Sequence, residues 1–213
     1  MSENGILVVV SGFAGAGKGT LMKKLISRYD NYSLSVSATS RQPRPGEEEG
    51  VSYFFKSREE FEEMIHEDAF LEYAEYVGNY YGTPKAFVEK MLGEGKRVVL
   101  EIEIQGAFQI KRKFPQALLI YVMPPSAEEL MRRINGRGTE TADVIRSRMK
   151  RAVEEAEGIE HYDYIVINDD IEECTETMHS IIESAMFTPK RRADFIDKIR
   201  KDLKELLKNS KKN

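Results

Sequence analysis

Residues 6–28, ILVVVSGFAGAGKGTLMKKLISR, narrow the possible folds more than any other stretch of this 213-residue chain. A β-branched run, Ile6 to Val10, closes on Ser11 and Gly12 and reads as a buried strand. A glycine-rich loop follows, and Leu21, Leu25 and Ile26 then recur at helical spacing. In such a context backbone N–H groups turn inward around an anion, aided by the positive end of the helix dipole. The string alone leaves open a glycine-rich turn that binds nothing; the apolar strand before it favours the phosphate-binding reading.

Three later runs resemble that first strand: RVVLEIEI (97–104), ALLIYVM (117–123) and YDYIVIND (162–169). Helical patterns fall at about 105–113, 126–135 and 142–157. The alternation predicts an α/β fold, a three-layer core whose parallel sheet is flanked by helices on both faces. Phosphate ligands then lie at the carboxyl ends of the strands. Between residues 32 and 95 the texture changes. YSLSVSAT, VSYFFKS and AFLEYAEYVGNYYG alternate polar with apolar or aromatic residues, as half-exposed strands of a smaller, inserted mixed sheet would. A second insertion, INGRGTETADVIRSRMKR, is basic and contains glycine at its start. The expected plan is one domain over residues 1–187, with insertions at about 37–95 and 133–157, and an extension over 188–213.

Several function classes drop out on composition. One cysteine, Cys174, excludes an internal disulfide framework, and His66, His161 and His179 lack metal-ligand spacing. The N-terminal apolar run of five residues is too short for a signal peptide core, and no segment approaches a membrane span. A cytoplasmic protein with no membrane partner is expected. The net charge of −4 hides an asymmetry, because residues 188–213 carry ten basic and four acidic side chains. There, Thr188 and Pro189 form a helix start, and Ile196, Ile199, Leu203 and Leu206 make one apolar stripe. The plain reading is a helix packed on the body or frayed beyond it; the sharper one is a homodimer contact through the stripe. Nucleic-acid binding fits an apolar face with interspersed acids poorly, so no nucleic-acid partner is expected.

The loop from Gly12 through Phe13, Ala14, Gly15, Ala16, Gly17, Lys18 and Gly19 to Thr20 is the candidate seat of a nucleotide triphosphate. Gly19 stands where such loops often place a hydroxyl, and Thr20 comes one position late. Magnesium tolerates this, since it keeps several waters and is often bound mostly by phosphates. A second substrate has a seat in SATSRQPRPGE. Arg41 and Arg44 flank Pro43, guanidinium pairs match phosphate oxygens, and Ser37 and Tyr53 add neutral donors. Two arginines alone would read as a solvated loop. The decision comes from LEYAEYVGNYYGT, which puts Glu72, Tyr81 and Thr83 beside that loop if its strands pair. An ionised carboxylate only accepts hydrogen bonds. Guanine offers adjacent N1–H and N2–H₂ donors, whereas adenine offers an acceptor at N1. Glu103 is a second candidate acceptor from the core side.

These landmarks together resemble a guanylate kinase from about Ile6 through residue 187: G-x-x-G-x-G-K-G-T, S-x-T-S-R-x-P-R-x-G-E, G-N-Y-Y-G-T, E-I-E-x-Q-G, G-R-G-T-E-T and a late N-D-D. The resemblance implies a P-loop core, a GMP-binding small sheet and a helical lid. It implies the reaction Mg·ATP + GMP ⇌ ADP + GDP, with dGMP as a further acceptor. By the same resemblance Ser37, Arg41, Arg44, Tyr53 and Tyr81 contact the GMP phosphate, and Glu72, Thr83 and Glu103 contact guanine. Lys18, Arg133, Arg137 and Arg148 reach the transferring phosphates, and Asn168 lies near the adenine of ATP. Two positions depart from the family. Phe13-Ala14 stands where Pro-Ser is usual, and Glu101 where Asp is frequent. No direct protein ligand for Mg²⁺ is assigned; Thr20 and Glu101 are the candidates to reach it through water.

A phosphate monoester has its second pKa near about 6, so the attacking oxygen is already largely anionic at neutral pH and no general base is needed. Catalysis should then consist of charge neutralisation and positioning. Residues 132–151 supply seven basic side chains against two acidic ones. Arg132, Lys150 and Arg151 read as a solvated helix face, and Arg137, between two glycines, is better placed to swing inward. The rival readings are an interaction module of the same fold, disfavoured by the intact loop and basic run, and a kinase for another phosphorylated acceptor.

Overall fold

The apolar run that opens the chain is covered on both faces. In the computed structural model, Ile6, Val8 and Val10 join one hydrophobic cluster while Leu7 and Val9 join another, as the two-residue period of a strand requires. The structure describes residues 5–76, 78–135 and 142–210, with the side chains of 142–145 and 210 left aside. Strand β1 (Ile6–Gly12) leads through the loop into helix α1 (Lys18–Arg28), and then come β2 (Tyr32–Leu34), β3 (Ala38–Thr39) and β4 (Phe54–Phe55). Helix α2 (Arg58–His66), β5 (Phe70–Tyr76), β6 (Asn79–Pro84) and α3 (Lys85–Gly93) follow. Next are β7 (Arg97–Glu101), α4 (Ile104–Lys113), β8 (Leu118–Met123), α5 (Ala127–Asn135) and α6 (Ala142–Ala156). The chain closes with β9 (Tyr164–Ile167), α7 (Ile171–Ala185) and α8 (Ala193–Ser210).

Five parallel strands form the main sheet in the order β2-β7-β1-β8-β9. Leu21 and Leu25 of α1, Leu130 and Ile134 of α5, and Met178 and Ile182 of α7 cover one face. Val88 of α3 with Ala107 and Ile110 of α4 covers the other. Each large apolar side chain buried here contributes roughly 1.5–3 kcal/mol, so the two clusters hold the carboxyl ends of β1, β7 and β8 in fixed register. The smaller sheet has the order β4-β3-β6-β5, with β3–β4 parallel and the other pairs antiparallel. Phe61 of α2 stacks on Phe70 and Tyr80 beneath it.

Several expected boundaries change. Tyr32–Leu34, whose alternation reads as part of the small sheet, pairs in parallel with Arg97–Val99 at the edge of the main one. Its Tyr32 is buried in the core, and a three-residue strand is too short to show its periodicity. The small-sheet insertion ends at Pro84 rather than near residue 95, because α3 already packs on the core. Strand β7 stops at Glu101, three residues early, and Glu103 is the N-cap of α4. Helix α2 is an addition to the expected plan, although Ser57 and Glu60 form a reciprocal capping box at its start. The apolar run of the last strand predicts burial along its length; β9 is instead an edge strand with Tyr164, Ile165 and Ile167 exposed and only Val166 buried.

The C-terminal helix begins at Ala193, not at Pro189. Thr188 directs its hydroxyl backwards to the Ala185 carbonyl, 3.2 Å away, and its own carbonyl accepts from the N–H groups of Arg191 and Arg192 in a turn. Along the apolar stripe of α8, Ile196 is half-buried, whereas Ile199, Leu203 and Leu206 are 41–65% exposed. Burial of the stripe is thus confined to its first residue. The second insertion contains α6, while residues 136–141, and Arg137 with them, lie outside the described residues.

Candidate active site

The phosphate loop is shaped by its glycines and pinned by its neighbours. Gly17 caps α1 in the left-handed region (φ 88°), where a Cβ would come within 2.5 Å of the Asn168 amide nitrogen. That amide is buried and donates to the Ala16 carbonyl at 2.8 Å, so Asn168 clamps the loop from behind. Phe13 settles the meaning of the unusual dipeptide. Its ring is 7% exposed and meets Tyr121 of β8 edge-on at 5.3 Å, which bolts the loop to the core without using a backbone N–H. Ala14 is exposed. Lys18 donates from Nζ to the carbonyls of Gly12 (2.7 Å) and Phe13 (3.3 Å), lying over its own loop.

A cavity of about 520 Å³ opens between the two sheets. Its lining includes Ser37, Arg41, Arg44, Tyr53 and Tyr81, the carboxylates Glu72, Glu101 and Glu103, and Lys18 of the phosphate loop. The strand pairing anticipated from the sequence makes this possible. Strands β5 and β6 align Glu72 with Thr83, and β6 with β3 aligns Tyr81 with Thr39, two residues from Arg41.

Among the arginines, Arg41 makes two hydrogen bonds to Glu47, at 2.8 and 3.0 Å, and its guanidinium lies 5.4 Å from the centre of the Tyr53 ring. Glu47 also accepts from the Arg44 N–H at 2.8 Å, closing the RQPRPGE turn on itself. The Arg41 guanidinium and the Arg44 N–H hold the Glu47 carboxyl below its ordinary range. Tyr53 and Tyr81 pack edge-on at 6.1 Å, and burial pushes the Tyr53 phenol up, so it stays a neutral donor.

Among the carboxylates, Glu72 is 5% exposed. Burial raises its carboxyl above the usual range, and bonds from the Thr83 hydroxyl (2.6 Å) and backbone oppose this. Thr83 itself is fully buried and does not line the cavity; it holds Glu72 from behind. Gly106 of α4 completes the seat, because a Cβ there would lie 2.7 Å from Glu72 Oε2. Glu47 and Gly106 are the functional residues that sequence reasoning misses. Both sit inside the quoted motifs, but no spacing rule links them to Arg41 or Glu72.

The remaining cations are less centrally placed. Arg133 donates to Glu129 one turn back on α5 at 2.6 Å, and Arg132 and Arg133 together pull that carboxyl down to about 2. Arg148 is half-buried on α6. Among the described residues no group of three or more His, Cys, Asp or Glu side chains could hold a metal ion. Thr20 is exposed on the first turn of α1, and Glu101 faces the cleft, its carboxyl raised by desolvation and eased by Lys18. That donor set suits a hydrated ion carried by phosphates and cannot cage a bare one.

A phosphate loop at the carboxyl end of a parallel sheet, opening into a cavity with paired arginines and a buried carboxylate, defines a phosphotransferase with a small phosphorylated acceptor. Known proteins make this particular. The family model for guanylate kinase matches residues 4–185. The guanylate kinase of Caldanaerobacter subterraneus subsp. tengcongensis is 50% identical over 202 residues, 95% of this chain and 98% of its own. That of Bacillus anthracis is 54% identical over 182 residues, 85% of this chain and 89% of its own. The crystal structure of guanylate kinase from Anaplasma phagocytophilum superposes with a TM-score of 0.73 at 33% identity, covering 90% of this chain and 91% of that one. The chain belongs to the guanylate kinase family.

Proposed function

We infer that the chain carries out the reaction of its family, ATP + GMP ⇌ ADP + GDP. The observation that carries the reading is one cavity shared by Lys18 of the phosphate loop, Arg41 of the arginine turn and the buried Glu72. Ser37, Arg41, Arg44, Tyr53 and Tyr81 hold the acceptor phosphate, and the loop amides hold the donor phosphates. Glu72, kept in place by Thr83, accepts from guanine N1–H and N2–H₂, and Glu103 supplies a second acceptor. Lys18, with Arg133, Arg137 and Arg148, draws the two polyanions together and stabilises charge on the transferring group. Asn168 serves the ATP side by fixing the loop. Mg²⁺ arrives with ATP and neutralises phosphate oxygens, and Thr20 and Glu101 touch it through water. The attacking phosphate oxygen is already largely anionic and needs no base.

Residues 1–187 form the catalytic domain on this reading, with the cytoplasm as its compartment; among the described residues no helix is long and apolar enough to cross a membrane. The exposed stripe of α8 pairs with that of a second copy. Light scattering should give the mass of two chains, and Leu203→Lys with Leu206→Lys should give that of one; a single-chain mass for the unaltered protein removes this pairing.

The reaction is tested by ADP release with GMP, dGMP, AMP, CMP and UMP. GMP and dGMP should be used, and AMP at least about 100-fold less well. Arg41→Ala and Arg44→Ala should raise KM for GMP by about tenfold or more, with KM for ATP nearly unchanged. Equal losses for both substrates would remove the acceptor-site assignment, and inertness toward GMP would remove the reaction.

A further inference from the structure

The basic run over residues 132–151 predicts a solvated face for Arg132, Lys150 and Arg151. The side chains of Arg132 and Lys150 are indeed 75% and 81% exposed. Arg151 departs from this. Its side chain is 33% exposed, and it joins three parts of the molecule. Nη2 lies 3.1 Å from Glu103 Oε2 at the start of α4. Nε donates to Glu155 Oε1 at 2.9 Å, one turn along α6. The guanidinium carbon sits 4.3 Å from the centre of the Tyr76 ring at the end of β5. Tyr76 and Glu103 both line the acceptor cavity; Arg151 stands behind them and does not.

Glu103 needs such a partner. It occupies the N-cap of α4 yet makes no capping bond with its side chain, which is 65% exposed. A glutamate left in that condition samples several rotamers, and only some would face a bound base. The buried Glu155 adds a second carboxyl close by, raised above its ordinary range by burial and then by the Glu103 charge. Arg151 lies between them, hydrogen-bonded to Glu155 and ion-paired with Glu103. A planar guanidinium can engage one oxygen of Glu103, another of Glu155 and an aromatic face at once, a combination that an ammonium does not reproduce.

We propose that Arg151 is a positioning residue for acceptor recognition: by gripping Glu103 and stacking on Tyr76 it aims the carboxylate at the donor edge of guanine, so that helix α6 takes part in reading the base. This rests on Glu103 meeting guanine, as the proposed function has it. Arg151 does not touch the reacting atoms, so its loss should fall on acceptor binding and spare the chemical step.

The test is steady-state kinetics on the full chain for Arg151→Ala, Arg151→Met, Arg151→Lys, Glu103→Gln and the Arg151→Ala/Glu103→Gln pair. Arg151→Ala and Arg151→Met should raise KM for GMP by about five- to tenfold. KM for ATP and kcat should stay within about threefold, and Arg151→Lys should recover part of the loss. On the Glu103→Gln background, Arg151→Ala should add less than about twofold, because the residue through which it acts is already altered. Three results would overturn the proposal. Arg151→Ala could leave KM for GMP unchanged while Glu103→Gln raises it, which refutes Arg151 alone. The two losses could multiply independently, which makes Arg151 a separate structural contact. Glu103→Gln could itself leave KM for GMP unchanged, which removes the Glu103 assignment together with this proposal but leaves the GMP kinase reaction to the nucleotide panel.

Discussion

On the proposed function, the chain offers a nucleotide its backbone and one lysine between Gly12 and Thr20, and side chains between Ser37 and Glu103. The first region works through the turn set by Gly17 and the clamp from Asn168 to the Ala16 carbonyl. The second works through Arg41 held by Glu47 and Glu72 held by Thr83. A backbone site tolerates changes that leave its path alone, which is how Phe13 can face the core and Ala14 the solvent. A side-chain site depends on the identity and support of each group. The loop should therefore respond to substitution by position, and the acceptor pocket by chemistry.

The largest effect should come from the one loop side chain with a chemical task. Lys18→Met should lower kcat by about 10³-fold, with a much smaller change in KM for GMP, measurable by single-turnover kinetics. A loss below about tenfold would mean that the backbone alone carries donor activation.

Glu72→Gln should come next, reducing the preference for GMP over AMP by about 100-fold, since an amide presents a donor where guanine also donates. Acidity gives an independent reading. Burial raises the Glu72 carboxyl, and on the proposed function guanine needs it ionised, so kcat/KM for GMP should fall as pH drops through that raised pKa. Glu72→Gln should lack this component of the acid limb and retain the component from the substrate phosphate. For stability the sign is opposite: the folded state favours protonated Glu72, so this contribution is fully present below the ordinary glutamate pKa and fades as pH rises through the raised one.

Gly106→Ala adds a single methyl group but places it 2.7 Å from Glu72 Oε2, so KM for GMP should rise by about tenfold while ATP binding is spared. Unchanged GMP kinetics would show that Glu72 can shift without penalty. Phe13→Ala should have the smallest effect on turnover, within a few-fold, while lowering stability by about 3 kcal/mol in denaturant titration, as expected for an emptied aromatic site.

The contrast between the two regions also explains what can be read from the chain. The strand, loop and helix at residues 6–28 announce themselves through local rules, since glycine position and apolar period are properties of neighbours in sequence. The pairing of Glu72 with Thr83 is accessible because two alternating runs meet across a short connection. Gly106 and Arg151 are not, because each acts on a partner whose distance is set by tertiary packing, and Glu47 meets Arg41 only through the path of an irregular turn. In sequence Arg151 looks like its neighbours Lys150 and Arg132, and only the approach of Glu103 and Tyr76 sets it apart. Tyr32–Leu34 points to the wrong sheet for a related reason: three residues cannot declare which edge they will join.

The internal partners of Lys18 and Arg41 have a consequence for how ions compete at the cleft. Lys18 rests on two carbonyls and Arg41 on a carboxylate, so an arriving polyanion exchanges one oxygen ligand for another instead of displacing loosely held counterions. Raising the ionic strength should then weaken nucleotide binding less steeply than the number of basic residues around the cavity suggests. Small monovalent anions, too weak to lift either cation from its resting place, should be poor inhibitors.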